Sequence, residues 1–251
     1  MENYFSRNNL LKCIKMRYKI WLVFTLFGLM ASPRLGAQEV LPGEWNAQKI
    51  KGIRFLPDAT YQGNPFLIDR FTSGEINLMD GTKISGVQLK YNNYRDELIY
   101  YNTAISTQIE VDKISVKSFV LTDEKGDKHF YCKQTVTGYL PGERYLEVLS
   151  EGEVTLLVHR KVLLLTCPVY GEVGKEKSMS YQEAFNYYLY NVKKGFELIK
   201  PAKNSLFSKL DQSDQLLLRK ILRKNDLKIT DEEHFVKAWN LVLTNKMAIH
   251  F

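Results

Sequence analysis

The sequence predicts a mainly β protein with a short α-helical tail, organised as an antiparallel hairpin meander. Three observations predict it. Apolar residues alternate with period two through much of the stretch from Phe71 to Pro201. Turn-forming Gly and Asn residues separate these runs. After Pro201 the apolar period changes from that of a strand to that of a helix.

The elements follow in order. Glu75–Met79 and Lys83–Tyr91 flank Asp80-Gly81, and Val87, Leu89 and Tyr91 share one face while Gln88 and Lys90 share the other. Asn92-Asn93 is the next turn. The alternation resumes through Ile105, Thr107, Ile109 and Val111, through Ile114, Val116 and Ser118, and through Val154, Leu156 and Val158. Asp123-Glu124-Lys125-Gly126, Glu151-Gly152 and Lys193-Lys194-Gly195 are further turns, because Gly and Asn tolerate the positive φ of tight hairpins. Val162–Leu165 is a continuous apolar run, expected as a strand covered on both faces or tucked under a loop. Tyr170–Ser180 reads as a surface loop, and Phe185–Tyr190 with Phe196–Lys200 as the last hairpin. The count is about ten strands, and a meander that long must curl, close or split. A curved or barrel-like sheet is expected, with a β-sandwich as the second arrangement.

In the tail, Leu217, Leu218, Ile221 and Leu222 recur at helical spacing, as do Phe235, Ala238, Trp239, Val242 and Leu243. Leu206–Leu210 is expected to form a shorter helical turn. Asp211 is the expected cap of the second helix. Thr230 with Glu233 has the spacing of a capping box at the third. The helices are too few for a core of their own, so their apolar stripes must pack on each other and on the sheet.

The first 37 residues read as a secretory signal peptide. Lys12, Lys15, Arg17 and Lys19 precede an apolar run from Ile20 to Ala31, and Leu35-Gly36-Ala37 offers a cleavage site between Ala37 and Gln38. A membrane-spanning helix needs about 20 apolar residues, and this run is shorter and ends at Pro33-Arg34. Met16 is the expected start, since it directly precedes Arg17-Tyr18-Lys19 and gives a signal of ordinary length. Cys13 lies on the wrong side of the run for lipid attachment after cleavage. The expected organisation is therefore signal peptide 1–37, extended segment 38–70, β domain 71–201 and helical segment 202–251.

This reading changes the meaning of the charge. The whole chain carries 35 basic and 28 acidic residues, a net +7. Residues 1–37 hold six of the bases and one of the acids, leaving 29 against 27, a net +2. Nucleic-acid binding needs a strong basic footprint, which the remainder lacks overall. No integral membrane span is expected after cleavage. Cys132 and Cys167 survive cleavage; in an oxidising compartment they could form a disulfide, and two buried thiols are the other reading.

No motif for catalysis, cofactor binding or metal ligation stands out, so no cofactor is expected. His129 and Cys132 are three apart in a strand and point to opposite faces, which opposes a shared metal. His159 is out of phase with Leu156 and Val158 and is expected at the solvent or a rim. His234 lies in the third helix and His250 in the terminal stretch. Asp96-Glu97 reads as a pair of charged edge residues after a turn, and Asp123, Glu124 and Asp127 as a polar hairpin tip. The basic residues from Lys200 to Lys228 are expected to form the solvated face of a helix; docking to an anionic membrane surface or an acidic partner is the alternative. The aromatic group Tyr181, Phe185, Tyr187, Tyr188, Tyr190 and Phe196 suits core positions or cross-strand pairs. Met247, Ile249 and Phe251 alternate like the last strand of an outer-membrane barrel, but charges interrupt both faces of the preceding strands.

Gly63-Asn64-Pro65-Phe66-Leu67, Gly74-Glu75-Ile76 with Asp80-Gly81, and Val87–Asn92 with Asp96-Glu97-Leu98 carry a resemblance, joined by Tyr145–Leu149, Leu156-Leu157 and the tail from Leu210 to Trp239. With these motifs the chain resembles a family of exported, functionally uncharacterised proteins from Bacteroidota. The resemblance implies a location in the periplasm, at the outer membrane or outside the cell, and brings no activity or catalytic residues. The expected function is that of a noncatalytic envelope protein binding a partner protein or envelope component through its β domain. Two alternatives are a carrier with an apolar cavity in the curved sheet, and a hydrolase in which two or more of Asp96, Glu97, His129 and His159 converge.

Overall fold

The computed structural model describes residues 49–250 apart from 58, 60, 137–141 and 169–176. The expected signal peptide, Met16 start and cleavage between Ala37 and Gln38 fall outside the described residues. So does Phe251.

The chain forms eleven strands and three helices, in the order β1 (Gly52–Arg54), β2 (Thr72–Leu78), β3 (Lys83–Asn92), β4 (Glu97–Asn102), β5 (Thr107–Val111), β6 (Val116–Thr122), β7 (Lys128–Val136), β8 (Gly142–Ser150), β9 (Thr155–Pro168), β10 (Lys177–Asn191), β11 (Gly195–Ile199), α1 (Lys203–Phe207), α2 (Gln212–Lys224) and α3 (Glu232–Thr244). All strands belong to one sheet, ordered β1-β5-β4-β3-β2-β6-β7-β8-β9-β10-β11, and its neighbours pair antiparallel. The meander is thus interrupted twice: β1 returns to pair with β5, and β2 is shared between β3 and β6. With β1 and β11 at opposite edges the sheet is open, neither a closed barrel nor a sandwich.

The sheet curls steeply. Four strand steps separate β3 from β8, about 19 Å along a flat sheet. Yet the ring of Tyr91 on β3 lies 6.0 Å from that of Tyr145 on β8, 5.2 Å from Tyr131 and 5.3 Å from Phe119. Phe119 stacks on Tyr131 at 4.7 Å and meets Tyr145 edge-on at 5.0 Å. These four aromatics, with Ile76, Ile84, Leu89 and Leu98, fill the inside of the curl. Close backbone approach helps the bend: a Cβ at Gly74 would sit 2.4 Å from the carbonyl oxygen of Val120 and 2.7 Å from Leu89 Cδ1, so only glycine fits there. The β2–β3 register shifts at the same place.

Further along, the helices cover the same face. Leu206, Leu218, Leu222, Phe235 and Trp239 pack on Val154, Leu156, Leu189 and Ile199. Asp211 caps α2, accepting from the backbone N–H of Asp214 at 2.9 Å. At α3 the cap is Asp231 and not Thr230: its carboxylate accepts from the backbone N–H of His234 at 2.9 Å. A carboxylate one residue closer to the helix takes the orphan N–H, and Thr230 turns its hydroxyl to Asp231.

Three local expectations also shift. Ile105 and Ile114 sit in turns and are exposed. Lys177–Ser180 belongs to β10, because β9 and β10 pair in continuous register from Tyr190–Thr155 to Lys177–Pro168. Val162 is buried, but Leu165 at the end of the same run is exposed.

Candidate functional site

The β3–β4 turn organises the surroundings of the expected polar residues. β8 and β9 pair only from Glu147–Val158 to Ser150–Leu156. Beyond that they part, and the turn enters the gap. Asn93 accepts the backbone N–H of Val162 at 3.1 Å and donates from Nδ2 to the carbonyl of Arg160 at 2.8 Å, both on β9. Asp96 accepts the backbone N–H of Tyr145 on β8 at 3.2 Å. The turn therefore satisfies backbone groups that a β8–β9 ladder would have used.

Asp96 is accordingly not a solvated edge residue. It is buried, holds φ at 61°, and accepts from the Tyr91 hydroxyl and the Lys113 ammonium, each at 2.5 Å. Asp is among the few residue types that tolerate this left-handed backbone. Burial and the Asp96 charge both push the Tyr91 hydroxyl well above its ordinary range.

His159 is a second correction. It is only 4% exposed, on the sheet face that also carries Leu157 and its cross-strand partner Asn186. The parity reading was right that it lies opposite Leu156 and Val158, but that face is covered here. Burial, with smaller contributions from Arg144, Lys161 and Lys113, depresses its pKa to about 4 despite the opposing pull of Asp96.

His129 belongs to a different cluster, on the inner face between the aromatic core and the helices. Its Nδ1 lies 2.7 Å from Glu147 Oε1, and its Nε2 lies 3.6 Å from Asp123 Oδ2. Glu147 accepts from Arg160 Nε at 2.6 Å. The two Nη groups of Arg160 then grip both oxygens of Glu232, at the start of α3, at 2.7 and 2.6 Å. The Tyr187 hydroxyl donates to the same carboxylate at 2.5 Å. Hydrogen bonding to Glu147 raises the His129 pKa against the effect of burial. Burial would raise Glu147, but His129 and Arg160 hold it below its usual range. The chain of charges joins sheet to tail, with every guanidinium nitrogen of Arg160 committed to a carboxylate.

Asp96, Glu97, His129 and His159 thus do not meet as one hydrogen-bonded set. Among the described residues, no group of three or more His, Cys, Asp or Glu side chains is placed to hold a metal. Asp123 forms the expected polar hairpin tip, accepting from the backbone N–H groups of Lys125 and Asp127. Cys132 is buried on β7, where the Gln134 amide points at its sulfur from 3.7 Å. It pairs with Leu146, which continues the β8–β9 register to the level of His159; Cys167 lies eight residues further along β9. The aromatic group is largely the cross-strand set expected, with Tyr190 opposite Phe196 at 4.6 Å between rings.

The feature that composition and periodicity did not isolate is a cleft of about 320 Å³ beside the wedged turn. Phe55, Tyr61, Pro65, Phe66, Asn92 and Tyr181 line it. Tyr61 and Tyr94 each meet the Tyr181 ring edge-on, at 5.8 and 5.3 Å. The Lys90 ammonium sits 3.8 Å over the Phe66 ring and 2.6 Å from Asp69 Oδ1. Asn92 is 1% exposed; its Oδ1 accepts from the backbone N–H groups of Tyr94 and Arg95, while its Nδ2 has no hydrogen-bond partner among the described residues. A buried amide donor without a partner is costly. The Asn64-Pro65-Phe66 stretch and Asn92 meet here.

Comparison with known proteins adds no relative: no protein-family model, curated protein or solved structure matches this chain.

Proposed function

We propose that the chain is an exported, noncatalytic binding protein of the cell envelope, and that it holds a saccharide-bearing envelope component in the cleft beside the β3–β4 turn. The observation that carries the reading is the combination of aromatic walls, Phe55, Tyr61, Phe66 and Tyr181, with the exposed carboxylate of Asp69 in one cleft. Sugar rings present apolar C–H faces, which pack on aromatic rings, and hydroxyls, which donate to a carboxylate such as Asp69. The volume falls at the small end of the range for ligand sites, enough for one or two rings. Export rests on the tripartite N-terminus.

The rival readings find less to stand on. The inside of the curl is filled by Tyr91, Phe119, Tyr131 and Tyr145, which leaves an apolar cargo no room among them. A hydrolase needs two or more of Asp96, Glu97, His129 and His159 within hydrogen-bond reach of one another, and Asp96, His129 and His159 are divided between the wedged turn, the ionic chain and the opposite sheet face.

The test is calorimetric titration of the folded chain with a β-1,4-linked N-acetylglucosamine tetramer and a panel of neutral oligosaccharides. Binding is expected to at least one, and to weaken about tenfold or more in Tyr61→Ala, where a stacking wall is lost. Absence of binding across the panel, or unchanged affinity in Tyr61→Ala, overturns the proposal. The N-terminal residue of protein recovered from the envelope tests export: Gln38 is expected, and a cytosolic, uncleaved product refutes it.

A further inference from the structure

The second helix carries an unusual outer face. Leu218 and Leu222 point into the core. The opposite arc presents Arg219, Lys220, Arg223 and Lys224 with Leu216 and Leu217, which are 53% and 42% exposed. At 100° per residue, Leu216 falls between Arg223 and Lys220, so cations and apolar side chains alternate around one surface. The acid of the helix, Asp214, lies off this arc and accepts the backbone N–H of Ala248 at 2.7 Å.

Beside this face is a groove of about 450 Å³, in which Lys203, Arg219, Arg223 and Lys228 surround Leu222 and Leu227, with Asp226 as its acid. The Phe207 ring lies 5.8 Å from the Lys203 ammonium and 5.4 Å from the Arg219 guanidinium, holding both at one wall. Among the described residues, none of these cations or of Lys220 and Lys224 makes an ion pair or side-chain hydrogen bond.

We propose that this surface docks on an anionic phospholipid bilayer, with a lipid phosphate seated in the groove and Leu216 entering the headgroup boundary. Two independent features select a bilayer over other anions. Unpaired cations of one sign attract a negative surface, each contributing a modest increment that sums across the patch. The exposed Leu216 among those cations gains nothing from a free phosphate ion, but loses water contact at a lipid interface. The geometry is that of a helix lying on a membrane rather than crossing it, and no helix among the described residues is long and apolar enough to cross one.

The experiment is flotation of the full chain with vesicles of phosphatidylcholine alone, and of phosphatidylcholine mixed with phosphatidylglycerol. Binding is expected only to the mixed vesicles, and to fall as salt rises. Each cation removed is expected to weaken it about fivefold, so Arg219→Gln with Arg223→Gln costs about 25-fold. Leu216→Ser is expected to weaken binding without changing its salt dependence. All three positions are exposed, and thermal unfolding verifies that each variant is folded. Equal binding to both vesicle types, no binding to either, or no loss in the arginine variant overturns the proposal. So does tight binding of inorganic phosphate in solution combined with no effect of the leucine variant, which would make the groove a small-anion site.

Discussion

Burial of His159 makes acid stability a quantitative test of the fold. An unfolded histidine protonates near pH 6.5, whereas His159 in the folded chain holds out to about 4. The folded state therefore binds its proton less readily than the unfolded state, and acid favours unfolding. The stabilisation is complete above the unfolded value and is lost as pH falls toward the folded one. From these two values the loss relative to neutral pH is about 1.4 kcal/mol near pH 5.5 and about 2.5 kcal/mol near pH 4.5. The perturbation is His159→Gln, which keeps a polar side chain that does not titrate. Urea unfolding of both proteins is measured at pH 7.5, 5.5 and 4.5. Carboxylates titrate in both, so the difference between the proteins isolates the histidine. The variant is expected to be the less stable at pH 7.5, and the gap to close by the amounts above as pH falls. A gap constant across the three pH values refutes the burial of His159 in its neutral form.

Two further predictions concern the tail. Arg160→Met removes the cation between Glu147 and Glu232 and leaves the almost fully buried Glu147 with His129 alone, so unfolding free energy is expected to fall by about 3–5 kcal/mol. Denaturant titration checks it, and a loss under about 1 kcal/mol would show that the ionic chain does not hold the helices to the sheet. At the α3 N-terminus, Asp231→Ala is expected to lower the unfolding temperature and Thr230→Ala to lower it clearly less; the reverse order would return the cap to Thr230.

Much of the architecture was legible because local rules govern it. Asp80-Gly81 and the other Gly-bearing turns each bend the chain by their own backbone preferences, whatever surrounds them. The period change after Pro201 and the Asp211 cap are likewise local, and both are found where expected. The long-range pairings of β1 with β5 and β2 with β6 leave no such mark, since any strand edge offers the same backbone groups. Parity assigned His159 to the correct face but could not say that this face would be covered. Asp96 looked like a surface charge because nothing within a few residues reveals that Tyr145, 49 positions away, brings a backbone N–H to it.

The candidate sites follow the same division. The basic run through α2 was visible in the sequence, as was the aromatic density of β10, because each is a property of one continuous segment. The cleft was not, because Tyr61, Phe66, Asn92 and Tyr181 come from segments that only the curl of the sheet draws together. Arg160 and Glu232 are 72 residues apart and carry no spacing that would pair them. Sequence by itself determined the hairpin turns, the change of period to the helices and most of the strands, since these depend on neighbours along the chain, while the start of β10, the places of Ile105 and Ile114 and the α3 cap did not follow from it. Tertiary structure alone decided which charges are buried, which face each other and where a ligand could enter, because burial depends on neighbours in space.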